Sequence, residues 1–142
     1  MPEIRDHVHT VQYYETDRMG VTHHSSYIRW MEEARVFLLS QLGWDYAWLE
    51  AMGLISPVVS ISCDYKKPTG FGDTVSIHVD VEEMRAVSVR FSYVMRNQDG
   101  ETVFTASSLH ASLDKEGRPA RLRRDFPGVY ESLKELEQQT QA

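Results

Sequence analysis

The sequence feature that most constrains the fold is one long helical pattern followed by several strand patterns. Apolar side chains recur at helical spacing from Ser25 or Ser26, either of which can cap a helix, to about Leu42. Residues 75–81 and 87–95 alternate apolar and polar side chains, as strands do when one face of a sheet is solvated. Because one long helix must cover the apolar face, we expect an α+β domain in which an antiparallel sheet curls around that helix.

The helical pattern is broad enough to predict burial of most of the helix surface. Its apolar positions are Tyr27, Trp30, Met31, Ala34, Phe37, Leu38 and Leu42. Val36 and Leu39 widen this stripe, and Gly43 ends it. We therefore expect the helix to contact the rest of the protein around most of its circumference.

Glycine, proline and the alternation of side chains place the remaining elements. We expect strands over residues 8–14, 57–66 and 102–113, a short helix over 45–52 and an amphipathic helix over 126–139. Asp99-Gly100 is a typical hairpin turn between two strands. No repeat, low-complexity segment or change of composition marks a second domain, so we expect residues 1–142 to form one domain.

The composition excludes several classes of protein. The formal net charge is −6 and no basic block is long enough for a nucleic-acid surface, so we expect no nucleic-acid partner. No apolar run reaches the length of a membrane span, and residues 1–6 lack the apolar stretch of a signal peptide, so we expect a cytoplasmic protein without membrane association. Cys63 is the only cysteine, which excludes an intramolecular disulfide, and we expect its side chain to be buried in a strand.

The segment from Tyr13 to Arg35 is the most informative one for function. Its aromatic start ends in an acidic residue, and a glycine loop, two histidines and the start of the long helix follow. This order places the Asp17 carboxylate and the His24 imidazole beside a helix N-terminus, where free N–H groups and the helix dipole stabilise negative charge. Such an arrangement suits reactions that place charge on a carbonyl oxygen.

The same segment resembles the signature of the 4-hydroxybenzoyl-CoA thioesterase family, which has the hotdog fold. The residues that carry the resemblance are Glu15-Thr16-Asp17, Gly20, His24 and Tyr27, and the similarity covers nearly the whole chain. The resemblance implies an antiparallel sheet of about five strands wrapped around one long central helix. It also implies an acyl-CoA thioesterase that forms a free acid and coenzyme A, and that needs no cofactor because coenzyme A is part of the substrate. The resemblance further implies a homodimer or homotetramer with active sites at the subunit interface.

Asp17 and His24 are the expected catalytic residues. A carboxylate can act as nucleophile or general base at neutral pH, although an aspartate before a glycine often only braces the turn. In the enzymes that this chain resembles, the aspartate attacks the thioester carbonyl or activates water. The resemblance implies that the backbone N–H at His24 polarises the carbonyl oxygen, and that the imidazole orients the thioester or assists the leaving thiol. The spacing alone is equally consistent with a His24 that only caps the helix or fills space.

Further residues are expected to contact the substrate. They are Gly20, His23, Tyr27, Glu33, Lys66 and Lys67. His23 is a weaker candidate than His24, and Tyr27 either packs in the core or shapes the acyl pocket. Glu33 is a second-choice carboxylate on the helix, where it can equally pair with Arg29 four residues away. The candidates for contact with the phosphates of coenzyme A are Lys66, Lys67, Arg85, Arg121, Arg123 and Arg124.

No metal site is expected. Five potential ligands lie in the first quarter of the chain, namely His7, His9, Asp17, His23 and His24. His7 and His9 have the spacing of side chains on one face of a strand. No HExxH motif and no cysteine–histidine framework accompanies them, so the sequence favours roles other than metal binding.

Two other functions stay open. A 3-hydroxyacyl-thioester dehydratase would have the same fold, but its usual histidine and acid pattern on the helix does not occur in this sequence. A non-catalytic module that binds acyl thioesters would keep the fold and the pocket without turnover. Asp17 argues against such a module.

The sheet also favours assembly. The polar positions of the strand over residues 75–81 and its continuation are Ser76, His78, Asp80 and Glu82, so part of one face is expected to stay solvated. An edge strand would expose unpaired N–H and C=O groups, which a second copy can pair around a two-fold axis. We therefore expect a dimer or a larger homo-oligomer.

Overall fold

The computed structural model describes residues 3–141, which contain five strands and four α-helices. The strands are β1 (His7–Thr10), β2 (Val58–Tyr65), β3 (Thr74–Arg85), β4 (Ser88–Arg96) and β5 (Thr102–Ala111). The helices are α1 (Ser26–Gln41), α2 (Tyr46–Ala51), α3 (Leu122–Asp125) and α4 (Pro127–Gln141). The strands form one sheet in the order β1-β3-β4-β5-β2, which with the long helix α1 confirms the expected α+β architecture. None of the helices in the described range combines the length and the apolar character needed to cross a membrane.

The alternation along β3 and β4 places one face of these strands in the core, as predicted. The buried side chains on that face are Val75, Ile77, Val79, Val81, Val89, Phe91, Tyr93 and Met95. The polar residues between them on β3 are half-buried or exposed. Gly100 lies in the predicted turn between β4 and β5 with a φ of +78°, a conformation that residues with a Cβ adopt rarely.

β1 is shorter than the strand predicted over residues 8–14. The strand ends at Thr10, and Tyr13–Glu15 forms a turn of 3-10 helix instead. The Glu15 carboxylate accepts a hydrogen bond from the Gln12 N–H at 2.8 Å. The aromatic residues favoured a strand by propensity, but this local hydrogen bond competes with strand pairing, so the prediction is wrong at that end.

α1 begins and ends where the sequence predicted, but it is buried on one side only. Its fully buried apolar side chains are Tyr27, Trp30, Met31, Ala34, Leu38 and Leu39. Val36 is 40% exposed, so the prediction that burial extends around most of the helix is wrong. Gly43 follows the helix with a φ of +90°. The helix therefore presents one apolar stripe, as amphipathic helices do.

Contacts within the chain divide it into two compact units. The first unit consists of the chain up to Leu38, Cys63–Val79 and Tyr93–Ala106, and the second of Leu39–Ser62, Asp80–Ser92 and the chain from Ser107 onward. The expectation of one domain over residues 1–142 stays a prediction. Asp17 and His24 both belong to the first unit.

In the first unit, α1 packs against the sheet through aromatic side chains. Tyr27 of α1 stacks on Phe104 of β5 with 4.8 Å between the ring centroids. Further along the helix, Arg35 donates a hydrogen bond to the Tyr93 hydroxyl of β4 at 3.0 Å. These contacts fix the orientation of α1 on two neighbouring strands.

In the second unit, α4 packs against the segment before α2 and against β3. The Trp44 Nε1–H donates to the Ser132 Oγ at 3.2 Å. A Cβ at Gly128 would lie 2.8 Å from the Trp44 ring, so this close approach requires glycine. The Glu137 carboxylate accepts a hydrogen bond from the Met84 N–H of β3. The predicted amphipathic C-terminal helix is thus confirmed as α4.

β2 forms one edge of the sheet, next to β5. Its apolar side chains Val58, Val59 and Ile61 are all exposed. Cys63 is half-buried, so the prediction that it is a core residue is wrong. The physical reason is the position of β2, which has a neighbouring strand on one side only.

Candidate active site

The loop that carries Asp17 is a tight turn closed by backbone hydrogen bonds. The Asp17 N–H donates to the Val21 carbonyl at 2.8 Å, and the Gly20 N–H donates to the Asp17 carbonyl at 3.0 Å. Gly20 has a φ of +79°, which explains a glycine at this position by the shape of the turn. Its predicted contact with substrate stays a prediction.

The Asp17 side chain braces this turn with one oxygen atom. Its Oδ1 accepts a hydrogen bond from the Met19 N–H at 2.8 Å. Its Oδ2 accepts no hydrogen bond from any residue between 3 and 141, and the side chain is half-buried. Asp17 therefore braces the turn through Oδ1, and its Oδ2 stays available for attack on a carbonyl or for proton transfer.

Backbone hydrogen bonds hold the chain on both sides of Asp17 near the start of α1. The His23 N–H donates to the Glu15 carbonyl at 2.7 Å, and the Ser26 N–H donates to the His23 carbonyl at 3.0 Å. The Thr22 N–H donates to the Thr69 carbonyl at 2.8 Å. The loop is thus anchored beside the first residue of α1.

His24 lies in the turn before α1 and its side chain is exposed. The Tyr65 hydroxyl donates to the His24 carbonyl at 2.8 Å. The His24 N–H donates to no acceptor in the described part of the chain, so it is available at a position where the helix dipole favours negative charge. The His23 ring lies beside the His24 ring, with 4.2 Å between the ring centroids. The His23 Nδ1 accepts a hydrogen bond from the Ser25 N–H.

Tyr27 is a core residue, which is one of the two alternatives predicted from the sequence. The residue is 3% exposed, and its hydroxyl lies 2.9 Å from the Thr69 Oγ1. The same Thr69 oxygen lies 2.6 Å from the Thr22 Oγ1, which forms a buried polar cluster beneath the loop. This cluster was not foreseen from the sequence. A contact of Tyr27 with an acyl group stays a prediction.

Glu15 is a residue of this site that sequence reasoning missed. Its buried carboxylate accepts hydrogen bonds from His9 Nε2 at 2.8 Å, from the Gln12 N–H at 2.8 Å and from Trp30 Nε1 at 2.7 Å. Burial raises the pKa of Glu15, but these hydrogen bonds outweigh burial and hold the pKa below its usual value. Glu15 thereby ties β1 and α1 to the turn before Asp17. Its place in the Glu-Thr-Asp motif was the available signal.

Tyr65, at the end of β2, is a second residue that was missed. Burial, followed by the neighbouring Cys63, raises the pKa of Tyr65 to about 12. The hydroxyl donates a hydrogen bond to the His24 carbonyl. Nothing in the sequence pattern distinguishes Tyr65 from the other aromatic residues of the strands.

Glu33 contacts β1 rather than Arg29. Its Oε2 lies 3.2 Å from His7 Nε2 and 3.2 Å from His9 Nδ1. The predicted pair with Arg29 does not form among the described residues. His7 and His9 do share one face of β1, as predicted, and this face is turned toward α1.

Lys66 and Lys67 follow β2, and the backbone N–H groups of both donate to the Val103 carbonyl. The Lys67 ammonium pairs with Glu101, and a hydrogen bond from Lys67 lowers the pKa of the Glu101 carboxyl. The Lys66 side chain is exposed and forms no ion pair within residues 3–141. Lys66 is therefore the freer of the two for contact with a phosphate.

The second unit contains a cavity of about 560 Å³ with a basic wall. Its lining residues are Met84, Arg85, Ala86, Arg121, Arg123, Arg124 and Tyr130. Arg85 pairs with Glu83 and Arg124 pairs with Asp125. Arg121 and Arg123 form no ion pair with any described residue. Four basic residues that the sequence analysis considered for phosphate contact thus line one cavity.

A buried serine–histidine pair in the second unit is not accessible to a substrate. The Ser108 Oγ lies 2.8 Å from the His110 Nε2 on β5. Ser108 is 0% exposed and His110 is 3% exposed. Because a nucleophile must reach the thioester carbonyl, the half-buried Asp17 is the stronger candidate.

Comparisons with known proteins identify relatives across most of the chain. The family model described as the thioesterase-like superfamily matches residues 11–135. YneP of Bacillus subtilis, provisionally named an acyl-CoA thioesterase, is 38% identical over 128 residues, which cover 87% of this chain and 93% of YneP. The 1,4-dihydroxy-2-naphthoyl-CoA hydrolase of Thermosynechococcus vestitus is 29% identical over 111 residues, 78% of this chain and 76% of that protein.

A solved structure of a named thioesterase also matches the chain over nearly its whole length. The crystal structure of a DHNA-CoA thioesterase from Staphylococcus aureus matches with a TM-score of 0.91 and 31% identity, over 96% of this chain and 93% of that one. The relatives include enzymes named for other acyl groups, so the narrower 4-hydroxybenzoyl-CoA family stays a prediction. The chain belongs to the thioesterase-like superfamily and has the hotdog fold.

Proposed function

We propose that this protein hydrolyses acyl-CoA thioesters to a free acid and coenzyme A, with Asp17 as nucleophile or general base. The observation that carries the proposal is the Asp17 carboxylate, with Oδ1 held by the Met19 N–H and Oδ2 unpaired within residues 3–141. The names of the relatives as acyl-CoA and DHNA-CoA thioesterases support the same class of reaction.

Two routes use this carboxylate, and neither needs a cofactor. In the first, Oδ2 attacks the thioester carbonyl carbon, and the C–S bond breaks to release the coenzyme A thiolate, which takes up a proton. Water then hydrolyses the mixed anhydride to the free acid and regenerates the Asp17 carboxylate. In the second, Asp17 takes a proton from water as the water oxygen attacks the same carbon, and coenzyme A leaves as the thiol after protonation. Both routes place negative charge on the carbonyl oxygen before the C–S bond breaks.

The backbone N–H at His24 supplies the donor for that charge. This N–H has no acceptor in the described part of the chain and lies just before α1. A fixed donor at a helix N-terminus stabilises a developing oxyanion without reorganisation during the reaction. The exposed imidazole of His24 is then available to orient the thioester or to protonate the leaving thiolate.

Glu15 and Tyr65 are positioning residues in this proposal. Glu15 holds the turn before Asp17 through Gln12 and Trp30, and Tyr65 holds the His24 carbonyl. Neither needs to touch the substrate. Together they hold the Asp17 turn and the His24 backbone. The distance between these two groups decides whether attack and charge stabilisation can occur at one carbonyl.

The acyl group is the finer part of the proposal. The relatives named for 1,4-dihydroxy-2-naphthoyl-CoA and the resemblance to 4-hydroxybenzoyl-CoA thioesterases both favour an aromatic acyl group. We therefore propose an aryl-CoA as substrate. Lys66 lies in the same unit as Asp17, and its exposed side chain forms no ion pair within residues 3–141, so we propose that it contacts a phosphate of coenzyme A.

We also propose that the protein works as a homodimer or homotetramer. The support is the edge strand β2, whose side chains Val58, Val59 and Ile61 are exposed. Pairing β2 with the same strand of a second copy would satisfy the backbone N–H and C=O groups of the free edge.

Thiol release from a panel of acyl-CoA substrates tests the function. The panel includes 1,4-dihydroxy-2-naphthoyl-CoA, 4-hydroxybenzoyl-CoA, a straight-chain acyl-CoA and an enoyl-CoA. We expect thiol release, fastest with an aryl-CoA, and release at least a hundredfold slower from an Asp17→Asn variant prepared in the same way. Hydration of the enoyl-CoA without thiol release would indicate a dehydratase, and saturable binding without turnover would indicate a binding module.

A further inference from the structure

We propose that His7, His9 and Glu33 bind a divalent transition-metal ion, for which Zn²⁺ is the best match. His7 and His9 project from the same face of β1, where they pair in register with Ile77 and Val75 of β3. Glu33 reaches them from α1, and its Oε2 lies 3.2 Å from one ring nitrogen of each histidine. This site is separate from the proposed hydrolysis, which involves no metal.

The distances fit a small tetrahedral ion. Zinc binds histidine nitrogen at about 2.0–2.1 Å and carboxylate oxygen at about 2.0–2.2 Å, so a tetrahedral nitrogen and oxygen ligand lie about 3.3–3.5 Å from one another. The two nitrogen–oxygen separations of 3.2 Å are close to this range, and all three ligand atoms lie within 4.8 Å of one another. Two histidines and one glutamate form a known zinc ligand set with the fourth position left for water.

The neighbours of His9 provide a second, independent argument. A ligating histidine commonly donates its other ring N–H to a carboxylate, which fixes the ring and its tautomer. Here His9 Nε2 lies 2.8 Å from Glu15 Oε1, while Nδ1 faces Glu33. Because Glu15 accepts this hydrogen bond, the lone pair of Nδ1 can point toward the ion. The ring centroids of Trp30 and His9 lie 4.7 Å apart, and Trp30 Nε1 also donates to Glu15. Trp30 therefore holds both His9 and Glu15 in place.

The site of His7, His9 and Glu33 is accessible from solvent. The Glu33 side chain is 46% exposed and that of His7 is 24% exposed, so an ion can reach the site from solvent. A bound ion would connect β1 to α1, and through His9 and Glu15 to the turn before Asp17. The site would therefore support the fold near the active site without touching the substrate.

Metal titration of the protein without an affinity tag tests the proposal. The protein is treated with a chelator, and zinc binding is then measured by competition with a chromophoric chelator. We expect one zinc ion per chain, and about tenfold or more weaker binding in His7→Gln and in Glu33→Gln. A Glu15→Gln variant is expected to weaken binding by about 10–100-fold, as is usual for the carboxylate behind a ligating histidine.

His78→Gln is the matched control. His78 lies on the neighbouring strand β3 and pairs with Asp6, away from Glu33. We expect this variant to bind zinc as the wild type does. Cobalt supplies a second readout, since a tetrahedral Co²⁺ site absorbs strongly in the visible range. At equal zinc concentration, the melting temperature should rise more in the wild type and in His78→Gln than in the ligand variants.

The two ligand variants make the proposal falsifiable even if one of them folds poorly. Glu33→Gln changes an exposed position on α1, and circular dichroism before titration checks the fold of each variant. Absence of stoichiometric binding by the wild type would overturn the proposal. Unchanged affinity in Glu33→Gln, or an equal loss in His78→Gln, would overturn it as well, because binding would then be a property of surface histidines in general.

Discussion

The Tyr65 hydroxyl donates a hydrogen bond to the His24 carbonyl at 2.8 Å. Tyr65 ends the edge strand β2, and His24 lies in the turn before α1. The phenol keeps its proton at neutral pH, since its ordinary pKa of 10 is raised further, to about 12, by burial and by Cys63. A change at the free edge of β2 can therefore alter the position of His24, whose N–H is proposed to stabilise the oxyanion.

Replacing Asp17 with asparagine should abolish most of the hydrolytic activity. Asparagine keeps an oxygen that can accept from the Met19 N–H, so the turn should persist. It removes the charge that both proposed routes need. We expect kcat to fall a hundredfold or more, which corresponds to about 2.7 kcal/mol of lost transition-state stabilisation. Steady-state thiol release measures the effect.

Asp99→Asn is the control for that change. Asp99 lies in the exposed turn between β4 and β5, where asparagine is equally suited. We expect normal activity from this variant. A folded Asp17→Asn protein that keeps most of its turnover would remove Asp17 from the mechanism.

Substitutions at His24 separate the backbone from the imidazole. His24→Ala keeps the N–H, whereas His24→Pro removes it. The proline breaks no internal hydrogen bond of this N–H, since none forms among residues 3–141. We expect the alanine variant to lose less activity than the aspartate variant and the proline variant to lose more than the alanine one. Equal losses, with crystal structures showing an unchanged loop, would assign the function to the imidazole.

Lys66 should affect substrates that carry the phosphates of coenzyme A. Its exposed side chain forms no ion pair within residues 3–141. We expect Lys66→Gln to raise KM for an acyl-CoA about tenfold, as for a lost charge-assisted hydrogen bond, with kcat nearly unchanged. A short acyl thioester without phosphates should show no change. Replacing Arg121 and Arg123 together with glutamine is the comparison, and a rise in KM confined to that variant would contradict the assignment to Lys66.

Glu137 should make stability depend on acid pH. Burial raises the pKa of Glu137, but hydrogen bonds from Lys134 and the Met84 N–H outweigh burial and lower it below 4.5. A depressed pKa in the folded state means that the stabilisation is present above the unfolded pKa and is lost as the pH falls through the folded pKa. We expect Glu137→Gln to cost about 1–3 kcal/mol at neutral pH, as for a disturbed buried hydrogen bond.

Urea unfolding of both proteins across acid pH measures this dependence. The difference between wild type and Glu137→Gln should shrink as the pH falls below 4.5. Glu135→Gln, at an exposed position of α4, is the control and should leave the pH dependence as in the wild type. A difference that stays constant at all pH values would show that the charge of Glu137 does not stabilise the fold.

Local periodicity predicted α1 and the alternation of β3, because each pattern is a property of neighbouring residues. The cluster of His7, His9 and Glu33 could not be predicted in that way, since His7 and Glu33 are 26 residues apart and meet only after β1 docks on α1. The same reason hid the burial of Glu15, whose indole partner lies 15 residues away. The resemblance located the Asp17 loop, but not the side chains that hold it.

Blocking the edge of β2 should dissociate the proposed oligomer and lower activity. Val59 is 60% exposed on β2, and a lysine at a sheet edge opposes pairing with a second copy. We expect Val59→Lys to be monomeric at micromolar concentration by light scattering, with activity reduced because Tyr65 on the same strand holds the His24 carbonyl. Met52→Lys is the control, since Met52 is 53% exposed at the end of α2, where a cation suits the helix dipole. It should keep both assembly and activity. A wild-type protein that is a fully active monomer would overturn the proposed assembly.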